Sequence, residues 1–123
     1  MKITVQTINR ELIDDKLVKK FIPMGLEVDT SFRAHLKWER YFQKDLDCDL
    51  NTYMEKVAKW TENENTAKKN FLGILKLLYC YVSSKDLPTF DDFCGLFDYE
   101  IADQILLEIS KVLEEVNSTV TKN

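Results

Sequence analysis

The stretch "FLGILKLLYCYV", residues 71–82, constrains the chain more than any other. Set at about 100° per residue, its apolar positions cover roughly 220° of a helical wheel. Only a strip around Lys69, Gly73, Lys76 and Cys80 is left for water. An arc so wide must be touched from several sides, so the spacing predicts a central helix with the rest of the chain folded round it. The run contains Lys76 and is far shorter than the ~20 residues that cross a bilayer, which argues against a membrane protein.

The partners for that helix are legible on both sides of it. Upstream, "DTSFRAHLKWERYFQKDL" follows a cap at Thr30 or Ser31, and Phe32, His35, Leu36, Trp38, Phe42 and Leu46 fall in one arc of roughly 160°. Arg33, Lys37, Arg40 and Lys44 form a basic stripe beside it. A second helix starts near Asp49, with Leu50, Tyr53, Met54, Val57, Ala58 and Trp60 on one face. The polar "TENENTAKKN" then reads as a helix-to-helix connection with its own cap at Asn63 or Asn65.

Downstream, "LPTFDDFCGLFD" packs Pro88, a capping Thr89 and the helically spaced Phe90, Phe93, Cys94 and Phe97 into a short turn. That stretch is a plug turning the central helix back against the last one. The last helix places Ile101, Ala102, Ile105, Leu106, Ile109, Val112, Leu113 and Val116 on one arc, with an acidic outer face. The N-terminus alone reads as extended. Ile3 and Val5 keep a period of two, with Ile8 a candidate third member, and "KLVKKFIPMGLEV" carries Pro23 and Gly25 where a helix would break. "NRELIDDK" between them reads as a turn or a short helix.

With 123 residues and 45% hydrophobic side chains the chain can bury one core, so a single domain is expected. The expected fold class is mainly α: a small helical bundle of four to five helices (29–116) with a short extended or β-hairpin segment (1–28) and a flexible tail (117–123). A net charge of −4 disfavours nucleic acid as a partner. Cys48, Cys80 and Cys94 are odd in number and form no C-x-x-C, which points to reduced, apolar cysteines in the cytoplasm rather than to a metal.

Catalytic groups are few. His35 is the only histidine; it is read as a core-edge imidazole, with a general base or ligand as the alternative. The pairs Asp14-Asp15, Asp91-Asp92 and Glu114-Glu115 read as solvated surface, and no phosphate-cradling glycine loop or H-E-x-x-H occurs. The expectation is a protein that is not an enzyme and needs no cofactor. The basic stripe spans about 16 Å of helix and reads as a solvated flank or as an assembly contact. In the second case the acidic last helix of a neighbouring copy would answer it, in a self-association weakened by salt.

The order of segments, from the R-x-x-L-K-W-E-x-Y-F-type helix in "SFRAHLKWERYFQKDL" through "NTYMEKVAKW" to the apolar helix followed by "LPTFDDF", resembles the tail assembly chaperones of long-tailed bacteriophages and prophages of Gram-positive hosts. The resemblance covers about residues 1–116. It implies a mostly helical, non-enzymatic factor of the host cytoplasm, absent from the finished virion. Such a factor binds the tape-measure protein and helps recruit tail-tube subunits, and some family members form homo-oligomers. It also implies a longer product made by a −1 ribosomal frameshift. Thr121-Lys122-Asn123 encoded ACA AAA AAC would contain the slippery heptamer A AAA AAC, as Lys68-Lys69-Asn70 also could. Trp38, Tyr41, Trp60, Phe90 and Phe93 are the candidate client contacts, each with a core role as the alternative. Two other classes stay open: a small helical immunity or regulatory protein that binds a single partner as a monomer, and a nucleic-acid-binding module using the basic stripe.

Overall fold

The computed structural model describes residues 1–83, 85 and 87–121, with side chains up to residue 117. Two strands come first, β1 (Lys2–Ile13) and β2 (Lys16–Glu27). Six helices follow: α1 (residues 33–46), α2 (Leu50–Thr61), α3 (Glu64–Lys69), α4 (Phe71–Tyr81), α5 (Phe90–Cys94) and, through a 3-10 turn at Tyr99–Ile101, α6 (Ala102–Thr121). α4 is the hub, packed against each of the other five helices. Phe71, Ile74, Leu75, Leu77, Leu78, Tyr79, Cys80 and Tyr81 are all buried on it. Cys80, expected on the watered strip, lies inside, and burial pushes its thiol up to about 12.

The expected fold class needs correction. The chain is a mixed α/β protein, 58% helical with a two-stranded antiparallel hairpin, rather than a mainly α bundle with a short extended segment. Each strand is twelve residues long, paired from Lys2↔Glu27 to Ile13↔Lys16. "NRELIDDK" is neither loop nor helix but the end of β1, a two-residue turn and the start of β2. Asp14 and Asp15 make that turn with φ of 51° and 63°, the mirror-image geometry that matches strand twist, and aspartate tolerates it better than most side chains. In such a turn Ile13 and Lys16 exchange hydrogen bonds, so alternation leaves Pro23, opposite Gln6, with its nitrogen outward. A proline is accepted on an edge strand in that position.

The hairpin's base is fastened and its far half is not covered. Ile3, Val5 and Thr7 are buried, the Ile8 N–H donates to Leu96 O at 2.7 Å, and β1 lies along α6. Val28 bridges to Val82, where the Ser83 N–H donates to Glu27 O (2.8 Å) and the Asp29 N–H to Tyr81 O (2.7 Å), extending α4 into the sheet edge. From Asn9 to Ile22 only Glu11 and Val18 are even half-buried.

The helices mostly follow their seams. Ile101 at the end of the 3-10 turn and Ala102, Ile105, Ile109, Val112, Leu113 and Val116 on α6 are buried as their spacing requires. That helix continues to Thr121, past residue 116; Lys122 and Asn123, the rest of the expected tail, lie outside the described residues. Asp49 Oδ1 accepts from the Thr52 N–H at 2.8 Å to cap α2, and Thr89 Oγ1 accepts from Asp92 to cap α5. Asn63 caps α3, which replaces the connection expected in "TENENTAKKN".

The arc expected on α1 is the second correction. Ala34, Trp38 and Phe42 are buried and Leu46 half-buried, whereas Phe32 and Leu36 are 73% and 59% exposed. A seam stepping by four residues drifts about 40° per step in a regular α-helix. A π-helical turn at Glu39–Gln43 supplies the wider pitch that holds 34, 38, 42 and 46 in line, and it swings Phe32 and Leu36 outward.

Candidate protein-contact surfaces

The aromatic residues named from sequence divide between core and surface. Trp38 is wholly buried; its indole N–H donates to Cys48 O at 2.8 Å and its ring lies 4.4 Å from Tyr53 and 5.4 Å from Phe42. Phe93 is buried between Tyr79 and Phe97. These two hold the fold and have no free surface for a client. Trp60 is half-buried, edge-on to Tyr53 at 5.8 Å. Phe90 is half-buried against Phe42 and Tyr79, and exposed Tyr41 touches the same Tyr79 ring from another side. Tyr41 and Phe90 thus border one aromatic cluster, and Trp60 stands apart from it. "LPTFDDFCGLFD" is the plug its spacing implies, with the Tyr79 hydroxyl donating to Pro88 O at 2.7 Å.

The basic stripe is not four free cations. Arg33 pairs with Asp29 at 3.0 Å. Asp29 is held down to about 2, first by its hydrogen bonds from Ser31 and then by Arg33. Lys37 turns inward, where its ammonium donates to Val82 O and burial lowers its pKa. Arg40 and Lys44 remain exposed, with no ion pair among the described residues. His35 stacks on Phe32 with ring centroids 4.7 Å apart, half-exposed on the outer side of α1.

Three apolar surfaces were not anticipated. One is the ridge of Phe32 and Leu36 on α1. Another is the far half of the hairpin, where Leu12 and Leu17 face each other across the strands at 73% and 63% exposure, with Ile13, Phe21 and Ile22 also exposed. The third is an open pocket of about 300 Å³ where exposed Leu72 and Tyr99 stand over Phe71, Leu75 and Phe97. A larger apolar cleft of about 580 Å³ runs between β2 and α5, walled by Met24, Leu26, Leu87, Phe93 and Leu96. The hairpin had one sequence signal, "LIDDKL", in which an acidic pair suited to a tight turn stands between Leu12-Ile13 and Lys16-Leu17.

Among the described residues no group of histidine, cysteine and carboxylate side chains could hold a metal ion, and no helix is long and apolar enough to cross a membrane. No family model, curated protein or solved structure matches the chain.

Proposed function

We propose that the chain is a bacteriophage tail assembly chaperone of the kind its sequence resembles. In that role it acts without catalysis, in the host cytoplasm, binding the tape-measure protein and helping recruit tail-tube subunits. The observation that carries the reading is the Phe32–Leu36 ridge: two large apolar side chains four residues apart at the start of α1, exposed to water and flanked by Arg33 and Arg40. Such a ridge fits the apolar stripe of an amphipathic helix, and its cations suit acidic residues beside that stripe. A tape-measure protein offers long helices of that character.

The test has two parts. Sequencing the 3′ end of the gene and the roughly one kilobase beyond it is expected to find a slippery heptamer at the final codons, an open −1 frame and, downstream, a very long helical reading frame. The encoded helical segment, produced with the full chain, should stay in solution and co-purify with it, and the double variant Phe32→Asp/Leu36→Asp should lose most of that protection while keeping its circular dichroism spectrum. A lone transcription unit, or protection undiminished in the double variant, rejects the reading in favour of a regulatory or immunity protein with one partner.

A further inference from the structure

We infer that the apex of the β hairpin docks in the Leu72–Tyr99 pocket of a second copy of this chain. The apex carries two surplus features side by side. Leu12 and Leu17 form an exposed cross-strand pair, and next to them Asp14 and Asp15 make no ion pair among the described residues. The pocket carries the complements of both. Its floor is aliphatic and aromatic, and its volume of about 300 Å³ is at the low end for a small-molecule site but suits a pair of leucine side chains.

The charges match as well. Lys76 stands four residues after Leu72 on α4, hence on its side of the helix, and Lys69 is the last residue of α3, two before Phe71 of the pocket; neither is in an ion pair among the described residues. Lys76 lies within electrostatic reach of Cys94, which lines the pocket. Two unneutralised carboxylates beside two leucines therefore have, on the same chain, two unneutralised ammonium groups beside an apolar hollow.

The contact cannot form within one copy. Arg10 lines its own pocket, and the hairpin is fixed there because Arg10 and Lys19 both bind Asp98 at 3.2 Å and Lys19 binds Glu100 at 3.0 Å. Asp14 is four residues further along the strand, which places the apex roughly 13 Å beyond the pocket at about 3.3 Å per residue. An apex that overshoots its own pocket is available to a neighbour's. The contact is between unlike surfaces, so reciprocal exchange closes at two copies and one-way exchange builds a ring or a chain.

This inference does not rest on the chaperone reading, and none of its residues lies on the Phe32–Leu36 ridge. The test is sedimentation of the full chain over a wide range of concentration. The wild type should gain mass with concentration and lose it as salt is raised, and Leu12→Asp/Leu17→Asp should associate at least about tenfold more weakly. A charge exchange makes the test specific to this pairing. Asp14→Lys/Asp15→Lys alone and Lys69→Asp/Lys76→Asp alone should each stay monomeric, since each sets like charges against like. An equimolar mixture of the two should associate, because both cross-contacts are then attractive. A wild type that is monomeric throughout, or a mixture no heavier than its components, overturns the proposal.

Discussion

Leu78 and Leu12 are the same side chain in opposite circumstances. The first sits at 0% exposure in the middle of α4, and the second at 73% near the apex of the hairpin. Leu78 is buried on the helix against which five other helices pack, so the wide apolar arc is covered by elements distant in sequence. Around Leu12 the sheet has two strands and nothing beyond them, so one cross-strand neighbour, Leu17, is all the packing its own chain supplies there. The same residue type is structural in one region and surplus in the other. The division marks where this protein keeps its stability and where it leaves apolar surface to water.

The comparison is broken most directly by truncating both leucines. Leu78→Ala removes a filled core position and should cost about 2–5 kcal/mol of stability. Leu12→Ala should stay within about 0.5 kcal/mol of wild type, as exposed substitutions do. Urea midpoints with unchanged slopes measure both. A Leu12→Ala cost approaching that of Leu78→Ala would mean that the apex is packed in the isolated chain.

Two glycines sharpen the same contrast with a smaller effect. A Cβ on Gly73 of α4 would lie 2.7 Å from Tyr53 Oη and 3.0 Å from Trp60 Cζ3. Tyr53 cannot simply swing away, because its hydroxyl donates to Gly73 O at 2.9 Å and its phenol is buried, which pushes its pKa up to about 12. Gly73→Ala should therefore lose about 1–3 kcal/mol through overpacking, despite the roughly 1 kcal/mol that alanine gains in an open helix. On β2 a Cβ at Gly25 would meet only Lys2 Cε at 2.9 Å, the movable end of an exposed side chain. Gly25→Ala should be neutral or gain up to about 1 kcal/mol. Thermal unfolding of both variants reads the difference, and a stabilised Gly73→Ala would show that α4 is more loosely packed than Tyr53 and Trp60 indicate.

What could be read in the sequence divides along the same line. α6 was legible because its apolar spacing repeats over several turns and α4 because its apolar arc is so wide, and Asp49, Asn63 and Thr89 announced the helix starts they cap. The hairpin's length was not legible, because past Ile8 both of its faces meet water and neither keeps a buried alternation; only the turn chemistry of Asp14-Asp15 carried the signal. The seam of α1 was misplaced for another reason. Its π-helical turn has no sequence signature, and a wheel drawn at a constant 100° sends Phe32 and Leu36 inward. Of the contact surfaces, the sequence pointed to Tyr41, Trp60 and Phe90, which do reach the surface, but it missed the ridge, the apex and the pocket. These consist of ordinary apolar residues that are exposed only because of where the rest of the chain does not go.

The smallest of the three effects on global stability is a pH dependence confined to the hairpin. Asp98 holds the ribbon at mid-length: Oδ2 accepts from Arg10 and Lys19, while Oδ1 accepts from the Glu100 N–H at 3.1 Å. That N–H first, and then Lys19, keep its carboxyl below the ordinary 3.8. A lowered folded-state pKa means that the tether's contribution is full above 3.8 and is lost as pH falls through the lowered value. Lys19 works in the other direction. Its hydrogen bonds to Glu100 and Asp98 raise it above 10.5, so its contribution is full below 10.5 and is lost as pH climbs through the raised value. The tether should hold across the whole range between those limits and loosen at both ends. In the hub, by contrast, burial pushes Cys80 and Tyr81 up to about 12, and no group there acquires charge as the solution is acidified. Amide chemical shifts of Arg10 and Lys19, followed from neutral pH downward, should therefore move before those of Leu77 and Leu78. Asp98→Asn should abolish that early acid step and leave the alkaline one. If the ribbon and hub amides moved together in acid, the hairpin would be fastened by its packing along α6 rather than by these ion pairs. The apex would then be positioned by the whole sheet instead of being pinned at one carboxylate.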